Sequence, residues 1–270
     1  MSYRFHQLEL CLESKTKFLN FFTVEENGVS LPERMRACDF IEMLNLIGNE
    51  YSILEDISLI ENLPDIKTLS FQQITTVKDF ESLSNLPNLK KLTIQNSYFD
   101  LDIIEKLPLL DELTLDNFSD PAIAIDCEKI AKQTELRHLG LQCVGYYNED
   151  SLSNLKNLTS LNLRCNIPLA NAKTLNFLKH FPKLEHLEIE VLVCSGYSDV
   201  SALQELPVLK SLKVKTYDAK AELEYQDHDW LTVDFIKNIK SLEKLTLEDC
   251  YLLDEEDIQG RLGEVEYIEI

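Results

Sequence analysis

The sequence predicts an α/β fold in which short, similar units stack side by side around a parallel β-sheet. The main observation is a phrase of the form L-x-x-L-x-L, as in LKKLTI at residues 89–94, that occurs nine times. Successive copies begin 21 to 33 residues apart, and a repeat of that length is typical of solenoid proteins. The chain has 270 residues, 44% of them hydrophobic, which is enough to bury a large core.

Each copy of the phrase predicts one short strand. In LKKLTIQ, Leu92 and Ile94 are two residues apart and share one face of a strand, whereas the residues between and beside them share the other. One short strand cannot bury its apolar face alone, so neighbouring copies must pair into a sheet. The nine copies begin at Ile66, Leu89, Leu110, Leu136, Leu158, Leu184, Leu209, Leu242 and Val265.

The segments between these strands predict short helices or turns, because parallel neighbours require a crossover. Asp56, Asp79 and Asp199 each stand seven residues before a Leu-Pro pair. Asp102 and two later aspartates occupy a similar place in shorter segments. An aspartate at this point can cap a helical turn, and proline ends it.

The first 51 residues predict a segment that caps the exposed end of the stack, followed by a solenoid of about nine repeats over 52–270. The alternation in YRFHQLELCL favours a strand. The segment LPERMRACDFIEMLNLIG has helical spacing, although IEMLNLIGN, beginning at Ile41, also fits the repeat. A helical cap and an atypical repeat therefore both remain open.

In these features the chain resembles the leucine-rich-repeat family over residues from about 52 to 270. The form of DVSALQELPVLKSL is similar to that of the internalin-like bacterial subclass. Family repeats usually place Asn or Cys three residues after the last strand leucine, and here only Asn166 and Cys250 match. The resemblance implies a curved horseshoe whose concave face is a parallel sheet that binds proteins, with short helices or turns on the convex side.

The residues that alternate with the apolar strand positions are the predicted partner-binding residues of the concave face. Their charges change sign along the sheet, and a protein ligand could recognise such a pattern through complementary charge. Alternatively, opposite charges on neighbouring strands simply neutralise one another. Few of these positions hold the aromatic residues that anchor tight interfaces. The residues predicted to bind the partner are Lys91, Glu112, Asp116, His138, Arg164, His186, Glu188, Glu190, Lys213, Lys215 and Glu248.

The longest interval between copies predicts an insertion loop, which is a common place for recognition residues. This loop contains the only tryptophan of the chain, and its candidate partner-binding residues are Tyr225, Asp227, His228, Asp229 and Trp230. Trp230 could instead pack on the convex side and fill the larger repeat. Three adjacent residues cannot all face one ion, so DHD predicts an acidic loop and no metal site.

Composition predicts an acidic protein that avoids nucleic acids and anionic membranes. Lys plus Arg number 26 against 47 Asp plus Glu, and the formal charge is −21. Such a charge repels phosphate groups and attracts basic proteins. The seven cysteines form no CxxC pair, and the first residues carry no signal-peptide pattern. We therefore expect a cytoplasmic protein that is monomeric when free.

The motifs do not predict an enzyme. The sequence has no G-x-S-x-G or P-loop motif and only seven glycines, so we expect no catalytic residues and no cofactor. The expected function is protein binding. An acidic inhibitor or immunity-type protein that neutralises a basic toxin or enzyme fits the charge, and the alternative is an adaptor or scaffold that recruits a partner without inhibiting it.

Overall fold

The structure is a computed structural model that describes residues 3–23, 29–49, 51–77, 80–97, 99–107, 110–117, 124–143, 145–165, 175–192, 201–217, 233–248 and 257–270. The chain divides into two compact units, residues 1–120 and residues 121–270. Each unit is built from parallel strands joined by short helical crossovers. The predicted domain boundary at residue 51 stays a prediction.

Unit 1 (residues 1–120) contains a main sheet with the strand order β1-β3-β5-β7-β8, in which neighbours are parallel. A second parallel sheet has the order β2-β4-β6. Helix α1 spans Tyr3–Ser14, and 3-10 helices span Glu33–Cys38, Ser58–Asn62, Phe80–Asn85 and Leu101–Lys106. The strands are β1 Phe18–Phe22, β2 Val29–Ser30, β3 Met43–Ile47, β4 Ile53–Asp56, β5 Thr68–Gln72, β6 Thr76–Val77, β7 Lys91–Gln95 and β8 Glu112–Asn117.

Unit 2 (residues 121–270) contains a parallel sheet with the order β10-β12-β13-β14-β15-β16 and a parallel pair, β9 with β11. Its helices are α2 Cys127–Ile130, α3 Val233–Lys237 and α4 Ile258–Leu262, with 3-10 helices at Glu149–Asn154, Asn176–His180 and Ser201–Glu205. The strands are β9 Ala124–Asp126, β10 His138–Cys143, β11 Gly145–Tyr147, β12 Ser160–Cys165, β13 His186–Leu192, β14 Ser211–Tyr217, β15 Lys244–Glu248 and β16 Glu266–Glu269.

The repeated apolar letters form the core, as the alternation predicts. In β7, Leu92 and Ile94 are fully buried, and they pair in register with Leu113 and Leu115 of β8. Equivalent pairs in β10, β12, β13, β14 and β15 are likewise buried. The predicted α/β leucine-rich-repeat solenoid is confirmed, with short helices in the crossovers.

Aspartates accept hydrogen bonds at the start of some crossover helices, but the predicted caps Asp102 and Asp234 lie inside their helices, and Asp257 precedes its helix without a capping side-chain bond. The carboxylate of Asp56 accepts a hydrogen bond from the Ser58 backbone N–H at 2.7 Å. In the crossover after β7, Asp100 is the cap and accepts from the backbone N–H of Asp102 at 3.0 Å. The prediction of Asp102 as the cap was wrong because the helix already begins at Leu101, and the cap must precede the first helical residue.

The N-terminal segment combines a helix with two strands of the main sheet. Residues Tyr3–Ser14 form α1, so the strand expected from their alternation is wrong. α1 packs against β1, the first strand of the sheet order, and thereby covers that edge. In the following segment Glu33–Cys38 is a 3-10 helix and Met43–Ile47 is strand β3, in register with β5.

The last strand is shifted by one residue from the predicted register. Tyr267 of β16 lies opposite the buried Leu245, and Ile268 lies opposite Thr246. The L-x-x-L-x-L alignment had placed Tyr267 on the outward face, level with Lys244. Within the described chain β16 pairs only with β15, so only one neighbour holds its register. Ile270, which the pattern assigned to the core, is 73% exposed.

Two buried thiols meet between α1 and the 3-10 helix Glu33–Cys38. Cys11 donates to the carbonyl oxygen of Thr16 at 3.4 Å, and Cys38 is fully buried. Burial raises the pKa of the Cys38 thiol to about 12, and the neighbouring Cys11 thiol adds to this. Both cysteines are free thiols.

We therefore expect Cys38 to resist alkylation in the folded chain. A rise of this size lowers the thiolate fraction at neutral pH by about a thousandfold relative to an exposed cysteine. Mass spectrometry of iodoacetamide-treated protein measures the rate at this residue, and the same protein in urea is the control. Labelling of native Cys38 as fast as in urea would contradict the buried position.

Candidate protein-binding face

The candidate site is the solvent face of each main sheet, meaning the face whose residues alternate with the buried ones. In unit 2 this face has three rows of residues, level with one another across the strands. The first row begins at His138 and includes His186, and both histidines are exposed. The second row begins at Gly140. The third row is Gln142, Arg164, Glu190, Lys215 and Glu248. Register thus brings most predicted charged residues of unit 2 together.

These charges form a network of ion pairs across β12, β13, β14 and β15. Lys213 Nζ lies 2.9 Å from a carboxylate oxygen of Glu188 and 2.9 Å from one of Glu248. Lys215 Nζ lies 2.5 Å from the other oxygen of Glu248. Asn162 donates its amide N–H to Glu188 at 3.1 Å. The bonds to Glu248 raise the pKa of both lysines, and the two lysines lower the pKa of that carboxyl.

Glu190 is the buried member of this network. Its carboxylate lies 3.2 Å from Nε of Arg164, yet the residue is only 9% exposed. Burial raises its pKa, and the positive charges of Arg164 and Lys215 oppose this shift. Oε1 of Glu190 has no hydrogen-bond partner in the structure. Because a buried carboxylate is costly, this residue is poorly placed to meet a partner directly.

The solvent face of unit 1 carries less charge. Lys91 Nζ lies 2.5 Å from Glu112, and Gln95 donates to Asp116 at 3.0 Å, so the three predicted residues of this unit already contact neighbours on the next strand. Together with unit 2, these contacts favour the alternative in which opposite charges on adjacent strands neutralise one another. The assignment of any one residue to partner binding stays a prediction.

Sequence reasoning missed the part of this face formed by β1 and β3. Phe18 is 43% exposed and Met43 is 38% exposed, and the two lie directly opposite each other. Phe22 and Ile47 form a second, half-buried pair. The nine copies of the repeat phrase begin at Ile66, so they predict no outward residues before it. The match of IEMLNLIGN to the repeat was the signal that could have found them.

The candidate residues of the insertion loop, Tyr225, Asp227, His228, Asp229 and Trp230, lie outside the described residues. Within the part of the chain that the structure describes, no group of three His, Cys, Asp or Glu side chains could hold a metal ion. No described helix is both long and apolar enough to cross a membrane.

Solved structures with the same architecture identify the fold. An internalin, InlF, from Listeria monocytogenes str. 4b F2365 aligns with a TM-score of 0.56 over 95% of this chain and 81% of its own, at 19% identity. The chain has an internalin-like leucine-rich-repeat fold. A TLR13–ssRNA13 complex aligns with a TM-score of 0.58 over 87% of this chain, at 17% identity, and only 40% of the TLR13 chain is covered. No protein-family model matches the sequence, and the comparison with curated proteins gives no match.

The leucine-rich-repeat fold presents its sheet face as a lattice of side chains with fixed spacing. Neighbouring strands lie about 4.8 Å apart, so a partner can contact several strands at once. In unit 2 ion pairs link the side chains of neighbouring strands in this lattice, and in unit 1 the lattice includes exposed apolar side chains. Such an arrangement is suited to binding a macromolecule.

Proposed function

We propose that this chain is a non-catalytic protein-binding module that inhibits a basic protein partner by covering part of its surface. The observation that carries the proposal is the distribution of charge. The chain bears −21, while the ion pairs of the unit 2 face join bases to acids. The attraction for a basic partner therefore arises mainly elsewhere on the surface.

The crossovers that follow β3, β5 and β7 in unit 1 supply that acidic surface. In their segments 51–66, 73–77, 80–88 and 96–107 the described acidic residues are all exposed, and Lys106, bound to Glu81 at 2.5 Å, is the only described basic residue. Lys67 and Lys90 lie just after two of these segments, directly before β5 and β7. The negative electrostatic potential of these acidic residues raises the association rate of a basic protein. The acids are Glu55, Asp56, Glu61, Asp65, Glu81, Asp100, Asp102 and Glu105.

The leucine-rich-repeat fold of the solved neighbours supports a binding role in general, and the charge of this chain indicates which class of ligand to expect. The TLR13 structure is a complex with single-stranded RNA, which makes RNA a ligand to consider here. Nucleic-acid binding depends on basic side chains that neutralise phosphates, whereas this chain is strongly acidic. A basic protein is the ligand that the charge favours, in a cytoplasmic setting and with the free chain as a monomer.

The proposal predicts that association depends on salt and on the acidic crossovers. With a partner isolated by affinity purification, the association rate should fall severalfold or more between about 50 and 300 mM salt. The variant E61Q/D65N/E105Q, which removes three exposed charges from unit 1, should also slow association. The matched control E128Q/E135Q/E205Q removes three exposed charges from unit 2 and should slow it less. Surface plasmon resonance measures both rates.

Inhibition is tested separately by titrating the chain into the partner's own activity assay. Loss of partner activity at one equivalent supports an inhibitor, and binding with full activity supports an adaptor or scaffold. A partner that is neutral or acidic, bound with a salt-independent affinity, would contradict the proposed charge complementarity.

A further inference from the structure

The solvent face of β1 and β3 carries an apolar patch, defined as Phe18, Phe22, Met43 and Ile47. Phe18 and Met43 are exposed side chains that lie level on adjacent strands, and the other two lie four residues further along the same strands. Between these pairs, Asn45 donates an amide N–H to Asn20 at 3.0 Å. Phe22 and Ile47 are half-buried, and apolar side chains grouped on one solvent face in this way are typical of a binding surface.

This part of the face carries no ionisable side chain. The nine outward positions of β1, β3 and β5 are Phe18, Asn20, Phe22, Met43, Asn45, Ile47, Thr68, Ser70 and Gln72. In a chain with 27% charged residues, an uncharged area across three strands contrasts with the ion-paired face of unit 2. A partner group buried here would have no opposite charge beneath it, so a charged centre in the partner would be costly.

Positive charge borders the patch where the strands begin. Lys17, Glu42, Lys67 and Lys90 occupy equivalent positions just before β1, β3, β5 and β7, linked by backbone hydrogen bonds. The Glu42 carboxylate binds both Lys17 and, at 2.7 Å, Lys67. Hydrogen bonds from the two lysines lower the pKa of Glu42 to about 2, so it is ionised at neutral pH. Along this border three lysines accompany one glutamate, which binds two of them, and Asp111 follows Lys90 in the same row.

We propose that the apolar patch is the anchoring site for an apolar protein segment that bears a carboxylate beside its anchor residue. The apolar side chains bury the anchor, the amides of Asn20 and Asn45 meet its backbone, and the lysine border binds the carboxylate. This inference rests on the proposed function in one respect, namely that the chain binds a protein. It assigns the contact that holds the partner, whereas the acidic crossovers govern the approach of a basic protein.

Peptide selection tests this site without a natural partner. Phage carrying random 12-residue peptides are selected on the wild-type chain after depletion on F18S/M43S. The peptides that survive should combine an aliphatic or aromatic residue with a nearby Asp or Glu. Synthetic versions should bind F18S/M43S at least about tenfold more weakly than wild type, as expected for loss of an apolar anchor. K17Q/K67Q should weaken binding severalfold, and the effect should shrink in high salt.

The control is Tyr147→Ser, which removes a 47% exposed aromatic side chain from β11 in unit 2 and should leave peptide binding unchanged. Thermal unfolding of each variant checks that the fold is intact. Selected peptides rich in Lys and Arg, or peptides that bind wild type and F18S/M43S equally, would overturn the assignment. So would a wild-type dimer that F18S/M43S converts to a monomer in light scattering, because a second copy would then cover the patch. None of these outcomes tests the salt-dependent binding of a basic partner, which the association-rate measurements test separately.

Discussion

Phe71→Ala is expected to lower the free energy of unfolding by about 3–5 kcal/mol, the range for a large aromatic removed from a packed core. Phe71 is fully buried in β5, and its ring meets the edge of Phe80 with centroids 5.9 Å apart. The ring centroids of Phe80 and Phe99 are in turn 4.3 Å apart. Truncation of Phe71 therefore loosens an aromatic cluster that spans two crossovers. Urea denaturation followed by circular dichroism measures the loss.

Phe18→Ala is the matched control for this substitution, because it removes the same side chain from the solvent face of the same sheet. Its expected effect on the free energy of unfolding is within about 0.5 kcal/mol, as for most surface substitutions. A pair of variants with equal losses would contradict the distinction between core and exposed phenylalanines, and with it the availability of the apolar patch for a partner.

The second large effect is expected at the buried ion pair of unit 2. Arg164→Met and Glu190→Leu should each destabilise by about 2–4 kcal/mol, because each leaves the other charge without its partner in a largely buried position. The double variant should lose less than the sum of the two, since it removes both charges and adds apolar side chains. A double-mutant cycle in urea gives the interaction energy. Additive losses would show that the two residues stabilise the sheet independently.

The pH dependence of Glu190 follows from the direction of its pKa shift. Because burial raises this pKa in the folded chain, the folded state holds the proton more tightly than the unfolded state. The contribution of this group to stability therefore falls as pH rises through the window between the ordinary glutamate value and the raised one. The stability of wild type relative to Glu190→Gln, measured as melting temperature, should therefore decline as pH rises above about 4, the ordinary glutamate value. A difference independent of pH would contradict the burial.

The sequence predicted the repeats well because the apolar residues of each strand are required for packing of the core. Leu92 and Ile94 must be buried whatever the protein binds, and their spacing of two residues specifies a strand. The same pattern failed at the last strand, where Tyr267 took the place opposite Leu245. At that strand only one described neighbour enforces the register, and periodicity alone is a weaker constraint.

The candidate site was predicted only in part. The alternation correctly placed Lys213, Glu188 and Glu248 on one face, but it could not show that they bind one another. Whether a charge is free or paired depends on the alignment of neighbouring strands, and on side-chain distances that no single strand specifies. The exposed Phe18 and Met43 were missed for a different reason. The strand of Phe18 lacks a complete repeat phrase, and the phrase that contains Met43, beginning at Ile41, fits a helical pattern as well.

The sequence by itself determined the leucine-rich-repeat architecture, because burying one face of many short parallel strands demands the same letters at the same spacing. It also determined the net charge of −21. Only the tertiary structure decided where charge and apolar surface are exposed. Strand pairing set acids against bases in unit 2 and brought Phe18 level with Met43 in unit 1, and contacts of this kind arise only when residues about 25 positions apart become neighbours.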